Sequence, residues 1–418
     1  FGSPMRKFTV LFSCMFLVLV AGCVTDLGPA YSETQSAAVR YVNGYWYEDG
    51  VFKKADKFVR DGVFVAGQPN YAEVIDLQGG FVVPPFGEAH HHTVLCNPER
   101  IKQFTAAGVF YVQILNARVS QRKCQAEMHH ALDAPEIANA FAGLTGANSH
   151  PVQIGEFFLQ TEEVDGEWVH IIDSAADLDA KWPAIVAMNA DILKIFLSYS
   201  EDYDFLKSNG DIPIWYKGLN PDLVPLIVAK AHSAGLRVAA HVMSAHDFHI
   251  AVAASVDEIA HMPGFAPGPS LTMDFDNRWL VGLLNDASRY EISPEDAALA
   301  AQRGVSVITT LSGAEAFDGP ETVASLEAQF HSQSEAAQAL SALKRFGAKI
   351  ASHNIRILNE AGVTLLIGSD RGEYNSVDEA TFLVGHGLMK PEAVLWSLSV
   401  TTPKAIFPER VIGDFNPG

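Results

Sequence analysis

From residue 86 onward, short apolar runs alternate with helix-length amphipathic stretches, a pattern that predicts parallel strands joined by crossover helices. The strands it predicts are Phe86–His91, Val109–Leu115, Ile137–Leu144, Ile192–Leu197, Val238–Val242, Val256–Ala260, Val305–Thr310 and Val363–Ile367. Helices are expected over Pro221–Ser233, Ala245–Ala254, Ser334–Ala342 with a continuation to Glu360, and Glu392–Leu398. Eight such alternations fit an α/β chain folded as a (β/α)8 TIM barrel, for which about 250 residues is usual. A doubly wound open sheet has the same periodicity, so polar residues at the strand ends have to decide. Tyr41 to Val83 reads differently. Asn43-Gly44, Asp49-Gly50 and Asp61-Gly62 are hairpin-type dipeptides between aromatic and β-branched residues, and predict short strands joined by tight turns.

The other end of the hydropathy pattern lies at the start of the chain. Residues 1–4 precede Met5 and read as a cloning scar, and Arg6 and Lys7 follow as a short positive segment. Phe8 to Val20 is then an apolar run, too short to span a bilayer comfortably but right for the core of a signal peptide. Val20-Ala21-Gly22-Cys23 resembles a bacterial lipobox, so residues 5–23 are expected to be a lipoprotein signal peptide, with Cys23 lipidated. An ordinary secretory signal cut nearby is the alternative. Residues 24–40 read as a polar tether, and Val24 in place of an aspartate gives no reason for retention at the inner membrane. The expected location is exported and lipid-anchored at the cell envelope, in the outer membrane or periplasm.

Charge narrows the partners. The 418 residues carry 29 Lys and Arg against 49 Asp and Glu, a net charge of −20. Without Arg6 and Lys7 the balance is 27 to 49, or −22. So acidic a chain, with no basic patch, opposes binding to nucleic acid or anionic lipid. The expected partner is a small-molecule substrate, with membrane contact only through the lipid anchor.

Several predicted strands end in a metal-ligand residue. His90 and His92 flank His91 on the first; two residues apart on a strand, they share a face while His91 points away. Lys194 sits within the apolar fourth strand, the fifth stops at His241, the sixth at His261, and the eighth runs into Asp370. In a barrel these ends face one mouth, where barrel enzymes keep their sites. Taken singly, each has an ordinary explanation: a surface histidine cluster, a lysine reaching solvent, an Asp370–Arg371 ion pair. Four histidines, a lysine and an aspartate in strand order 1, 4, 5, 6 and 8 outweigh them.

With these residues in place the chain resembles the amidohydrolase superfamily, in the binuclear, carboxylated-lysine subtype with prolidase-like and imidazolonepropionase-like members. The resemblance covers residues 41–418 and rests on the run Gly79–His92, the Lys194 strand, Ala240-His241, the run Ala253–His261, and Gly368-Ser369-Asp370. Pro85, Gly87 and Glu88 stand where the family motif has Gly, Ile and Asp, none of them ligand positions. The resemblance implies that residues 41–85 are the first half of a small β-sandwich. It implies that residues 86–403 are the metal-dependent hydrolase barrel, and that 404–418 begin an incomplete return to the sandwich. It further implies that His90, His92 and Asp370 bind one metal and that His241 and His261 bind a second. Lys194, as N6-carboxylysine, would bridge the two. Zinc is the first expectation for the two divalent ions, with Mn2+, Fe2+ or Co2+ as alternatives. The implied mechanism is attack on a carbonyl by a hydroxide bridging the metals, with Asp370 as general base and then acid.

His150, Tyr199 and Tyr203 follow strands and are candidate substrate contacts, while His246 opens a helix and is expected to cap it. Cys96 and Cys124 lie in loops after the first two strands; they could form a disulfide in an oxidising compartment, or remain two thiols. The function expected is hydrolysis of an amide-type bond, in a dipeptide or N-acyl amino acid. An ester, lactone or phosphoester hydrolase, or a non-catalytic lipid-anchored binding protein, is the alternative.

Overall fold

The computed structural model describes residues 37–92, 96–128, 134–264, 279, 282–283, 286–312, 327, 332–370 and 372–417. Cys23, the leader and most of the tether lie outside the described residues.

A small sheet opens the described chain: β1 (Ala38–Glu48), β2 (Val51–Arg60), β3 (Val63–Val65), β4 (Tyr71–Asp76) and β5 (Phe81–Val82). Its order is β3-β2-β1-β4, with β5 also on β1. It therefore begins at Ala38, inside the stretch expected to be tether. Asp49 and Gly50 turn the β1–β2 hairpin with positive φ at both positions, as a tight hairpin turn requires. Phe415 returns to this sheet and packs its ring on Trp46 and Phe64.

Ten strands follow: β6 (Phe86–His91), β7 (Val109–Ile114), β8 (Glu136–Asn139), β9 (Gly143–Thr145), β10 (Val169–Ile171), β11 (Ile192–Phe196), β12 (Arg237–His241), β13 (Glu258–Ile259), β14 (Ser306–Ile308) and β15 (Leu365–Leu366). They pair in parallel as β6-β7-β8 and as β10-β9-β11-β12-β13-β14-β15. Backbone hydrogen bonds link the two sheets at both sides. Asp191 N–H donates to the Asn139 carbonyl (2.9 Å), Ala89 N–H to Ile367 (2.9 Å) and Asp370 N–H to His90 (2.8 Å). This α/β content with parallel sheets fits a TIM-barrel fold.

The strands are apolar because both faces are covered. Leu193 and Ile195 of β11 pack in a core shared with Ile227, Val228, Phe248 and Ile355 of the helices, while Ala89, Ala239 and Ala260 form a separate cluster with Leu115, Ile192, Ile308 and Leu366. The expected third strand, Ile137–Leu144, is broken into β8 and β9. Phe141 takes a left-handed φ of 51° and gives its N–H to Asn139 Oδ1 (2.7 Å), which ends the ladder. The longest expected helix is observed at Gln333–Ala361, started by Ser332 accepting from Glu335 N–H and stopped at Gly362, whose φ of 78° suits glycine. His246 does not cap its helix. Ser244 does, in a reciprocal box with Asp247. Cys96 and Cys124 are joined in a disulfide with their Cα atoms 5.7 Å apart.

Candidate metal centre

The end of β6 carries His90 and His92 on one side, and the segment after β15 brings Asp370 against both. Asp370 Oδ1 lies 3.0 Å from His90 Nε2 and 2.9 Å from His92 Nε2, and the two nitrogens are 3.1 Å apart. On the far side of each ring, Nδ1 meets a main-chain carbonyl: Ala260 for His90 (2.8 Å) and Asn116 for His92 (3.1 Å). A carbonyl only accepts, so each Nδ1 carries the ring hydrogen and each Nε2 turns a lone pair toward Asp370. Converging acceptors repel unless a cation lies among them, and outward Nδ1–H···O=C bonds are the usual support of a metal-ligating histidine. These three residues form a group that could hold a metal ion. His91 points the other way, its ring against Phe104 and its Nε2 on the Tyr374 carbonyl.

The remaining strand-end residues lie beside this group. His261 Nδ1 is 3.5 Å from Asp370 Oδ2 and 3.2 Å from Thr310 Oγ1. Its ring centre is 4.6 Å from those of both His90 and His241. His150 continues the row, 4.8 Å from His241 and 4.4 Å from Trp215. Lys194 is fully buried, its Nζ has no hydrogen-bond partner among the described residues, and it sits 5.3 Å from the Phe196 ring centre. A buried ammonium without acceptors is costly. Burial accordingly pushes Lys194 down to about 7, against the pull of Asp370 and Glu258. Burial likewise lowers His90 to about 4 and His150 to about 3, and takes His241 and His261 well below the usual histidine range.

Three buried carboxylates that sequence reasoning missed hold the strand ends. Glu88 accepts from the main chain of His90 (3.1 Å) and Ser369 (2.8 Å). Glu379 accepts from Leu311 (2.8 Å) and Ser312 (2.5 Å), just after Thr310. Asp247 accepts from Tyr199, Ser200, Met243 and Ser244. Each pins a turn containing a non-glycine residue at left-handed φ: 56° at Asp370, 43° at Thr310 and 47° at Tyr199. Only Asp247 had a local signal, three residues after Ser244 as in a capping box.

That pinned turn decides where Tyr199 goes. Expected at the substrate, it is instead fully buried, its ring against Tyr216, Trp279 and Tyr290. Tyr203 begins the short Tyr203–Ser208 helix and is half-buried. Neither has a described ring contact with the histidine row, whereas His150 does.

No protein-family profile matches the chain, and no curated protein does. Solved structures do match. An amidohydrolase superposes with TM-score 0.64 at 18% identity, covering 91% of this chain and 90% of that one. The chain has the amidohydrolase fold. A prolidase complexed with N-methylphosphonate-L-proline matches at TM-score 0.62 and 18% identity, over 91% and 90% of the two chains. The ochratoxinase of A. niger matches at 0.62 and 16%, over 92% and 88%. Within the amidohydrolase fold, the His90–His92–Asp370 group sits where the C-terminal ends of the parallel strands meet.

Proposed function

We propose that the chain is a metal-dependent hydrolase that cleaves an amide-type bond, in a dipeptide or N-acyl amino acid, at the mouth of a closed (β/α)8 barrel. The observation that carries this reading is the convergence of the His90 and His92 lone pairs on one oxygen of Asp370. The prolidase and amidohydrolase among the solved structures of this fold favour a C–N bond as the target. In this reading the barrel spans residues 86–403, a small β-sandwich draws on residues 41–85 and 404–418, and the protein is tethered to the cell envelope through Cys23.

His90, His92 and Asp370 would hold one divalent ion, and His241 and His261 a second. The donor set of neutral imidazoles and a carboxylate suits zinc, with manganese, iron or cobalt also compatible. Lys194, buried without a hydrogen-bond partner among the described residues, would be carboxylated: its unprotonated amine adds to carbon dioxide, forming an N–C bond and releasing one proton. The resulting carbamate would turn a buried cation into an anion and add a carboxylate to the ligand set. When bound, the ions supply an acidified water and polarise the scissile carbonyl.

The chain's own residues do the rest. Asp370 receives the proton of the attacking water and delivers it to the departing nitrogen. His150, its ring beside His241 and against Trp215, would contact the bound substrate.

Elemental analysis of the purified protein, together with a hydrolysis screen over dipeptides and N-acyl amino acids, tests the proposal. Two equivalents of metal and turnover of an amide are expected. A metal-loaded protein inert on every amide, but active on lactones or phosphotriesters, would replace the substrate assignment. A protein that takes up no metal would end it.

A further inference from the structure

We propose that Glu88 is a positioning residue that sets the distance and angle between His90 and Asp370, an inference that rests on the metal reading above. Its buried carboxylate spans two segments 281 residues apart in sequence. Oε1 accepts the main-chain N–H of His90 (3.1 Å) and that of Ser369 (2.8 Å), while Oε2 accepts Ser369 Oγ–H (2.9 Å). One side chain thereby fixes the residue that carries one imidazole and the neighbour of the residue that carries the carboxylate.

The surroundings hold the two segments close enough for one side chain to span them. Gly368 presses against β6 so closely that a Cβ there would come within 2.8 Å of His90 N. Asp370 itself sits at a left-handed φ of 56°, a conformation that aspartate tolerates better than most residues. Asp370 N–H on the His90 carbonyl completes the clasp. Side-chain length is the controlling variable. An aspartate at position 88, the residue the family motif carries, is one methylene shorter, so on this backbone it has to give up part of the three-bond clasp or draw the two strand ends together, whereas glutamine keeps the length and one carbonyl acceptor. The described hydrogen bonds of Glu88 all go to His90 and Ser369, so it acts through geometry.

The test compares Glu88→Asp, Glu88→Gln and Glu88→Ala with wild type. Calorimetric titration of the metal-free proteins with zinc alone is read beside kcat and KM on an amide that wild type hydrolyses. Glu88→Asp should lose about tenfold or more in zinc affinity, the usual cost of removing a group that orients a ligand. Its kcat should fall about a hundredfold, as expected of a catalytic group displaced by an ångström, with KM nearly unchanged. Glu88→Gln should recover most of both losses. If Glu88→Ala does not fold, the Asp and Gln variants carry the comparison. Wild-type zinc affinity and kcat in Glu88→Asp would overturn the proposal, as would Gln being no better than Asp. No zinc uptake by wild type would instead overturn the metal reading itself, a result visible before any variant is compared.

Discussion

The Nε2 atoms of His90 and His92 stand 3.1 Å apart, each with its ring hydrogen committed to a carbonyl on the opposite side. Two lone pairs at that separation, with a carboxylate oxygen against both, are destabilising without a cation. Stripping divalent ions with a chelator should therefore abolish hydrolysis and lower the melting temperature, because an ion bound only by the folded state stabilises it. Adding zinc back should restore both. Melting curves of stripped and reloaded protein make the check, and identical curves would count against a metal at this site.

Lys194 and Asp370 should fail in different ways. Lys194→Ala removes the group proposed to bridge both ions, so metal content should drop below two equivalents and turnover by several orders of magnitude, where each tenfold is about 1.4 kcal/mol of barrier. Asp370→Asn keeps an oxygen of similar shape but cannot take a proton, so much of the metal should remain while kcat collapses. Elemental analysis beside kcat for both variants separates the two roles. A Lys194→Ala protein with two metals and wild-type turnover would falsify the bridge.

The Cys96–Cys124 disulfide ties the loop after β6 to the Arg122–Met128 helix after β7. The two cysteines are 28 residues apart, and closing such a loop removes unfolded-state entropy worth about 3.6 kcal/mol on the chain-entropy model. Protein denatured without reductant should show no reactive thiol from this pair, and the double Cys→Ser variant should unfold at lower denaturant concentration. Two titratable thiols from Cys96 and Cys124 would show that the bridge does not form in solution.

What could be read from the sequence follows from how local each signal is. Apolar runs ending in His90, Lys194, His241, His261 or Asp370 announce themselves, because a polar residue inside or just after a buried strand stands out against its own neighbours. The Gln333–Ala361 helix was legible for the same reason, with a serine cap, a long apolar stripe and a closing glycine. The break at Phe141 was not, since its cause is a single left-handed φ fixed by Asn139. Glu379, and the Ser369 half of the role of Glu88, carried no local sign, because those main-chain partners lie far along the chain. Tyr199 was expected at the substrate from its position after the lysine strand, but a turn pinned by Asp247 sends its ring into an aromatic cluster.

Gly218 offers a test of how the second side of the site is built. A Cβ at this position would lie 2.5 Å from Ser198 N and 3.0 Å from both Leu197 C and Phe196 O, all main-chain atoms at the end of β11. Main chain cannot swing aside as a flexible side chain can. Glycine therefore lets the 217–219 segment lie directly on the strand that carries Lys194, with Leu219 N–H on the Phe196 carbonyl (2.8 Å). The same segment accepts His150 N–H at the Lys217 carbonyl (2.8 Å), so displacing it moves His150 away from His241. Gly218→Ala should cost about 1–3 kcal/mol, the usual penalty for overpacking, and should lower kcat/KM in the fraction that remains folded. Gly210→Ala is the matched control, because nothing lies within 4 Å of a Cβ there. Its stability should stay within about 0.5 kcal/mol of wild type. Denaturant unfolding of both variants decides the matter: equal midpoints for Gly218→Ala and Gly210→Ala would mean that the close approach at β11 is not what holds His150 in place.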